Sequence, residues 1–137
     1  LVSSAICEVP GASEVLLEGV VSYTDESKIT RLGVRRETIE IHTSVSSQTA
    51  AEMAEGVRKN LGADIGISTT GVAGPGEADE NGNPRGLVYV GFSYGNETSV
   101  SRHMFDGTRN AIREQAKDIC LERLYEILYE KERKNND

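Results

Sequence analysis

The sequence predicts a single α/β domain over residues 1–137, with helices on both faces of a mixed β-sheet in three layers. Along the first half of the chain, segments with apolar residues at helical spacing alternate with short runs rich in Val, Ile and Leu. The second half contains two such runs joined by a short turn, followed by one long amphipathic segment. Because the alternation favours parallel strands and the short turn favours antiparallel ones, we expect a mixed sheet.

The N-terminal elements are a helix and a strand. Pro10 and Gly11 end an opening helical segment, since proline cannot continue a helix. The run from Glu14 to Tyr23 is rich in Val and Leu, which predicts a strand, and Gly19 within it indicates a bulge or a close approach.

Three helices are predicted next. Thr24 is a suitable N-cap for a short helix that ends at Gly33, and a second short helix is expected around Arg36–Ile41. A longer helix begins at Ser46 and ends at Gly62, because Ala, Met, Val and Leu recur between them at helical spacing.

The remaining elements are three strands and one helix. The segments "ADIGIST", "GLVYVGFSY" and "ETSVSRHMF" read as strands, and Gly95 and Asn96 between the last two form a two-residue hairpin turn. One long helix then follows, with an apolar face made of Ile112, Ala116, Ile119, Cys120, Leu124, Ile127 and Leu128.

Composition excludes several classes of function. The formal net charge of -7 argues against a sequence-independent nucleic-acid binder, which normally carries a basic surface. No segment reaches the roughly 18 apolar residues of a membrane span, and no signal peptide is visible. Cys7 and Cys120 lack metal-binding spacing, so both are predicted to be buried thiols in a reducing compartment. We therefore expect a cytoplasmic protein without a nucleic-acid or membrane partner.

A glycine-rich stretch, "GVAGPG" at residues 71–76, follows the predicted strand "DIGIST" after one residue, Thr70. Loops beyond the carboxyl ends of strands often hold ligands, and glycines let backbone N–H groups approach an anion. The spacing matches neither a dinucleotide fingerprint nor a P-loop. The glycines alone fit a phosphate cradle and a structural loop equally well. The acidic stretch "EADENGN" after them is expected to form a solvent-facing, mobile rim.

Three side chains are candidates for chemistry beside this loop. Lys28 lies one turn inside a helix, where the positive helix end lowers the pKa of its amine against the opposing acidic residues of the first turn. Its position also fits a surface lysine. Tyr23 faces the same crevice or is an edge tyrosine. Arg109 is in the first turn of the last helix, where a cation is unfavourable, so it is expected to pair with an anion, either a ligand or a neighbouring carboxylate.

No metal site is expected. His42 and His103 are the only histidines, and neither has a carboxylate or a cysteine at ligand spacing. We interpret His42 as a hydrogen-bonded structural residue.

Six segments in collinear order resemble the C-terminal domain family of the competence-damage protein CinA, which includes the nicotinamide-nucleotide amidases. They are "VPGAS", "GVVSYTDESKITRLGV", "HTSVSSQTAAEMAEGVRKNLGAD", "TTGVAGPG", "NPRGLVYVGF" and "FDGTRNAIREQA". The resemblance implies an amidohydrolase that converts nicotinamide mononucleotide to nicotinate mononucleotide and ammonia. It implies a serine nucleophile assisted by a lysine, no metal and no cofactor, and it suggests a homo-oligomer.

The resemblance also assigns roles to residues of this chain. The catalytic lysine matches Lys28 and the accompanying tyrosine matches Tyr23. The residues matched to substrate binding are Thr70, Gly71, Gly74, Gly76 and Arg109. In this reading a neutral Lys28 takes the serine proton, while Arg109 and loop amides hold the phosphate.

The chain departs from the family pattern at three places. The family's nucleophilic serine belongs to a segment expected immediately upstream of Leu1, while Ser3 and Ser4 read as helix-surface serines. Thr43 and Ser44 replace a common Gly-Ala pair, and Asn83 and Arg85 replace a more usual lysine and valine. These departures leave a rival hypothesis open, a catalytically silent domain that binds a nucleotide or a partner.

Overall fold

A computed structural model describes all of residues 1–137 and contains five α-helices and three strands. The helices are α1 (Val2–Cys7), α2 (Asp25–Leu32), α3 (Arg36–His42), α4 (Ser47–Leu61) and α5 (Arg109–Asn136). The strands are β1 (Ile65–Gly71), β2 (Leu87–Tyr94) and β3 (Glu97–Met104), and a 3-10 turn covers Ala12–Glu14. Every predicted helix is therefore present.

The strands form one antiparallel sheet in the order β1-β2-β3. The central strand β2 is buried because a helix covers each of its faces. Val90 belongs to a buried apolar cluster with Ile112 and Cys120 of α5. On the opposite face, Ser93 Oγ accepts a hydrogen bond from Arg58 Nε of α4 at 2.8 Å. This helix–sheet–helix arrangement confirms the predicted three-layer α/β class.

The strand predicted over residues 14–23 is not formed. After the 3-10 turn, residues 15–23 have no regular secondary structure and pair with no strand. Val15, Leu17 and Val21 are 73%, 59% and 86% exposed. Their composition suits a pleated backbone, but a strand also needs a neighbour to bond, and this segment has none in the sheet. All pairs in the sheet are consequently antiparallel, whereas a mixed sheet was expected.

The predicted boundaries of α2, α4 and the hairpin turn are confirmed, whereas α1 ends at Cys7, before Pro10. The side chains of Thr24 and Ser46 each accept a hydrogen bond from the backbone N–H three residues later, at 3.1 Å. Gly33 and Gly62 adopt left-handed backbone conformations, with φ of 71° and 63°, and end α2 and α4. The hairpin turn between β2 and β3 has Gly95 at φ 59°.

The two cysteines differ. Cys120 is fully buried in α5, and burial raises the pKa of its thiol to about 12. Cys7 is exposed, so its predicted burial is wrong; α1, which it ends, has no fully buried residue. None of the helices is long and apolar enough to cross a membrane.

Candidate functional site

Arg109 joins three distant parts of the chain at the N-terminus of α5. Its Nη1 donates to the carbonyl oxygen of Gly74 at 2.5 Å, and its Nη2 donates to the hydroxyl oxygen of Tyr23 at 3.0 Å. No carboxylate forms an ion pair with this guanidinium. Of the two alternatives expected for Arg109, pairing with a neighbouring carboxylate is therefore wrong, and pairing with a ligand stays a prediction. The positive charge remains uncompensated at the edge of the loop that follows β1 at residues 72–76, which we call the glycine loop.

Lys28 is buried beneath the segment that precedes its own helix. It is 8% exposed, and its Nζ donates to the carbonyl oxygen of Ser22 at 2.8 Å. Burial lowers the pKa of the amine, and the carboxylate of Asp25 raises it by a smaller amount. The predicted direction is confirmed, with burial as the main cause, and the surface-lysine alternative is wrong. The amine thus binds the backbone of Ser22, and the next residue along the chain, Tyr23, contacts Arg109.

The glycine loop leaves several backbone donors free. The N–H groups of Gly74, Gly76 and Glu77 donate to no backbone carbonyl. Gly76 and Glu77 are also exposed. Unpaired N–H groups beside an uncompensated guanidinium form a surface that attracts anions. This arrangement is suited to a phosphate, and both the phosphate cradle and the role of Gly74 and Gly76 in substrate binding stay predictions.

Thr70 and Gly71 also support the fold beneath the loop. Thr70 is buried, and its Oγ1 donates to the carbonyl oxygen of Ser44 at 2.6 Å, which ties β1 to the turn between α3 and α4. A Cβ at Gly71 would lie 2.7 Å from the carbonyl oxygen of Leu87 and from Cγ2 of Val88. These contacts explain both residues structurally, and their predicted contact with substrate stays a prediction.

The acidic stretch at residues 77–83 is exposed at most positions, as expected of a rim. Ala78 and Pro84 form a β-bridge that closes its base. Asp79 accepts hydrogen bonds from the backbone N–H groups of Asn81 and Asn83 at 2.9 and 2.8 Å, and from Asn83 Nδ2 at 2.9 Å. The rim is thus an internally hydrogen-bonded turn.

Thr43 has an unusual backbone conformation in the turn between α3 and α4. Its φ of 69° and ψ of 168° fall in a region that is nearly restricted to glycine. Its Oγ1 accepts from Asn83 Nδ2 at 3.2 Å, and its carbonyl oxygen accepts from the hydroxyls of Ser46 and Thr49. Thr43 therefore links the acidic rim to the start of α4.

We expect the Thr43→Gly variant to be more stable than the Thr43→Ala variant by about 1 kcal/mol, measured by urea denaturation. Both changes remove the hydroxyl, but only glycine relieves the strain at φ 69°. Equal stability of the two variants would show that the backbone at Thr43 is not strained.

The histidines and the N-terminal serines lie outside this cluster. His42 is exposed at the end of α3 and has no hydrogen-bond partner, so its predicted structural hydrogen bond is wrong. Ser4 is exposed on α1, whereas Ser3 is half-buried against Gly19, where a Cβ would lie 2.1 Å from the Ser3 hydroxyl. No group of three or more His, Cys, Asp or Glu side chains is placed to hold a metal ion.

Sequence reasoning did not assign Arg85 to the site. The structure places its side chain over Gly74, and a Cβ there would lie 2.5 Å from Arg85 Cδ. The signal in the sequence is that Arg85, two residues before β2, departs from the valine more usual in the family pattern.

Comparison with known proteins gives consistent matches. The sequence model of the CinA C-terminal domain matches residues 1–128. A competence-damage inducible protein of Clostridioides difficile is 52% identical over 124 residues, which cover 90% of this chain and 29% of that protein. The chain thus spans less than a third of the length of that curated relative.

Two solved structures share the fold. A competence-damaged protein (CinA) superfamily protein from Escherichia coli superposes with a TM-score of 0.87 at 29% identity, covering 92% of this chain and 73% of that one. Competence damage-inducible protein A (ComA) from Klebsiella pneumoniae gives a TM-score of 0.88 at 34% identity, covering 93% of this chain and 79% of that one. With the family model matched along nearly the whole chain, this protein belongs to the CinA C-terminal domain family.

Proposed function

We propose that the protein acts as an amidohydrolase that converts nicotinamide mononucleotide to nicotinate mononucleotide and ammonia. Hydrolysis breaks the C–N bond of the carboxamide, and water supplies the oxygen of the product carboxylate. The observation that carries the proposal is the buried amine of Lys28, which donates to the carbonyl oxygen of Ser22. The next residue, Tyr23, accepts a hydrogen bond from Arg109. An amine with a lowered pKa can act as a base, and the neighbouring cation and free amides suit a phosphate.

In this mechanism the neutral Lys28 amine takes the proton from a serine hydroxyl as its oxygen attacks the carboxamide carbon. The protonated Lys28 then gives that proton to the leaving nitrogen, ammonia departs, and an acyl-serine remains. Water, activated by the same amine, hydrolyses the ester and restores the serine. The hydrogen bond to Ser22 uses one N–H of the amine, which leaves its lone pair free to accept a proton.

The proposal takes the nucleophile to be a serine outside residues 1–137, as the family resemblance implies. Within the chain, the Lys28 amine contacts a backbone carbonyl and no serine hydroxyl. The test is to incubate the full-length gene product with nicotinamide mononucleotide and to quantify ammonia and nicotinate mononucleotide in equal amounts. Absence of both products, with the protein folded, would contradict the proposed activity.

The Arg109→Ala variant is expected to raise KM for nicotinamide mononucleotide about tenfold with a smaller change in kcat, because a charge-assisted hydrogen bond to phosphate is lost. Steady-state kinetics measure this split. The matched control is Arg123→Ala on the same helix, whose guanidinium pairs with Glu126 and which should leave KM unchanged. A large fall in kcat at constant KM would contradict a role in phosphate binding.

A catalytically silent binding domain is the second candidate, favoured by the lack of a serine hydroxyl at Lys28. It predicts that mononucleotides bind without turnover. Calorimetry with nicotinamide mononucleotide, beside the ammonia measurement on the same protein, separates the two functions.

A further inference from the structure

The side chain of Arg85 contacts the glycine loop, as the side chain of Arg109 does. Its backbone N–H donates to the carbonyl oxygen of Glu77 at 2.8 Å, which fixes its main chain. Its aliphatic stem passes over Gly74, and its Nη1 donates to the carbonyl oxygen of Pro75 at 3.2 Å. Since Arg109 bonds to the carbonyl of Gly74, the two guanidiniums lie on consecutive carbonyl groups of one loop.

Neither guanidinium has a carboxylate partner, although the chain carries 22 acidic residues and a net charge of -7. The acidic rim does not neutralise Arg85. Asp79 accepts three hydrogen bonds within the rim, and Glu77 and Glu80 form no ion pair. Two uncompensated cations bound to consecutive carbonyl groups of one loop in an acidic protein therefore mark a place that favours an anion.

We propose that Arg85 is a second phosphate-binding side chain of the glycine loop, acting together with Arg109. The inference rests on the proposed function only in requiring that the ligand carry a phosphate. A phosphate monoester has a charge of about -1.5 to -2 and three acceptor oxygens, so it can accept from two guanidiniums and from the free loop amides at once. Each guanidinium has five N–H donors, and the bond to Pro75 uses one of Arg85's.

The experiment is calorimetric titration of the full-length protein with three probes: nicotinamide mononucleotide, inorganic phosphate and nicotinamide riboside. The riboside is the control, because it has a hydroxyl in place of the phosphate. The variants are Arg85→Ala, Arg85→Lys and the control Arg123→Ala, which makes the same change in net charge on α5. Alanine keeps the backbone hydrogen bond of residue 85, so the loop should retain its fold.

We expect Arg85→Ala to weaken binding of the mononucleotide and of inorganic phosphate about fivefold, as suits an exposed charge, and to leave riboside binding unchanged. Arg85→Lys should lose less, because it keeps the charge without the planar donors. Ammonia release measured on the same samples separates the two proposals. Absence of turnover with Arg85-dependent phosphate binding would contradict the amidase and leave this inference standing.

Three results would overturn the inference. The first is mononucleotide affinity in Arg85→Ala equal to that of Arg123→Ala. The second is an equal loss for mononucleotide and riboside, which would make Arg85 a structural residue. The third is a wild-type protein that binds neither the mononucleotide nor phosphate.

Discussion

Replacing Lys28 by methionine is expected to lower the rate of ammonia release by at least about 100-fold, the usual contribution of a positioned base. Methionine is of similar length and is apolar, so it suits a position that is 8% exposed. The carbonyl of Ser22 loses its donor, which should reduce the free energy of unfolding by no more than about 2 kcal/mol. Single-turnover measurement of ammonia, with circular dichroism as the folding control, tests this. Activity within tenfold of wild type would contradict a catalytic role for Lys28.

Lys28 should also make both the reaction rate and the stability of the protein increase with pH. The neutral amine is the reactive form, so the wild-type rate should rise with pH through the pKa of Lys28, which burial lowers. Between that pKa and its ordinary value the unfolded chain binds more protons at Lys28, so stability should also rise with pH in this window. The methionine variant should lack this contribution to the stability profile. A wild-type rate that falls as pH rises would be inconsistent with a lysine base.

The Gly56→Ala variant is expected to be less stable than wild type by about 3 kcal/mol or more, although alanine is the better helix former. A Cβ at Gly56 would lie 1.6 Å from the carbonyl oxygen of Leu32 and 2.7 Å from its carbonyl carbon. Helix α2 would have to move away from α4, which would open the apolar cluster of Leu32, Val34 and Met53. Urea denaturation measures the loss.

Gly62→Ala is the matched control for this prediction. Nothing lies within 4 Å of the position of its Cβ, so only the left-handed conformation at φ 63° is penalised, by about 1 kcal/mol. Since α2 carries Lys28, Gly56→Ala should also reduce activity more than Gly62→Ala does. Equal stability of the two variants would show that the crossing of α2 and α4 does not depend on glycine.

Features decided by local chemistry could be predicted from the sequence. Thr24 and Ser46 cap helices, and Gly33 and Gly62 end them, because capping and left-handed glycine depend on neighbours within one turn. The hairpin turn beginning at Gly95 was predictable for the same reason.

Features decided by distant partners could not be read from local patterns. Residues 14–23 have the composition of a strand, but pairing depends on another segment of backbone. The burial of Lys28 depends on the path of the chain before α2, and the contact of Arg109 with Gly74 spans 35 positions. The family resemblance indicated Lys28, Tyr23 and Arg109 as members of one site. The contact between the aliphatic stem of Arg85 and Gly74 joins residues that are distant in sequence, so only the structure reveals it.

The β-bridge between Ala78 and Pro84 has a consequence for how this surface can diverge among relatives. Because the bridge fixes both ends of the turn, a change in the length of the turn between them should have little effect on the residues outside it. Extra or missing residues near Asn81 and Gly82, which are exposed, would therefore leave the glycines where they are. The number of residues at that tip can therefore vary while the backbone of the glycine loop keeps its conformation.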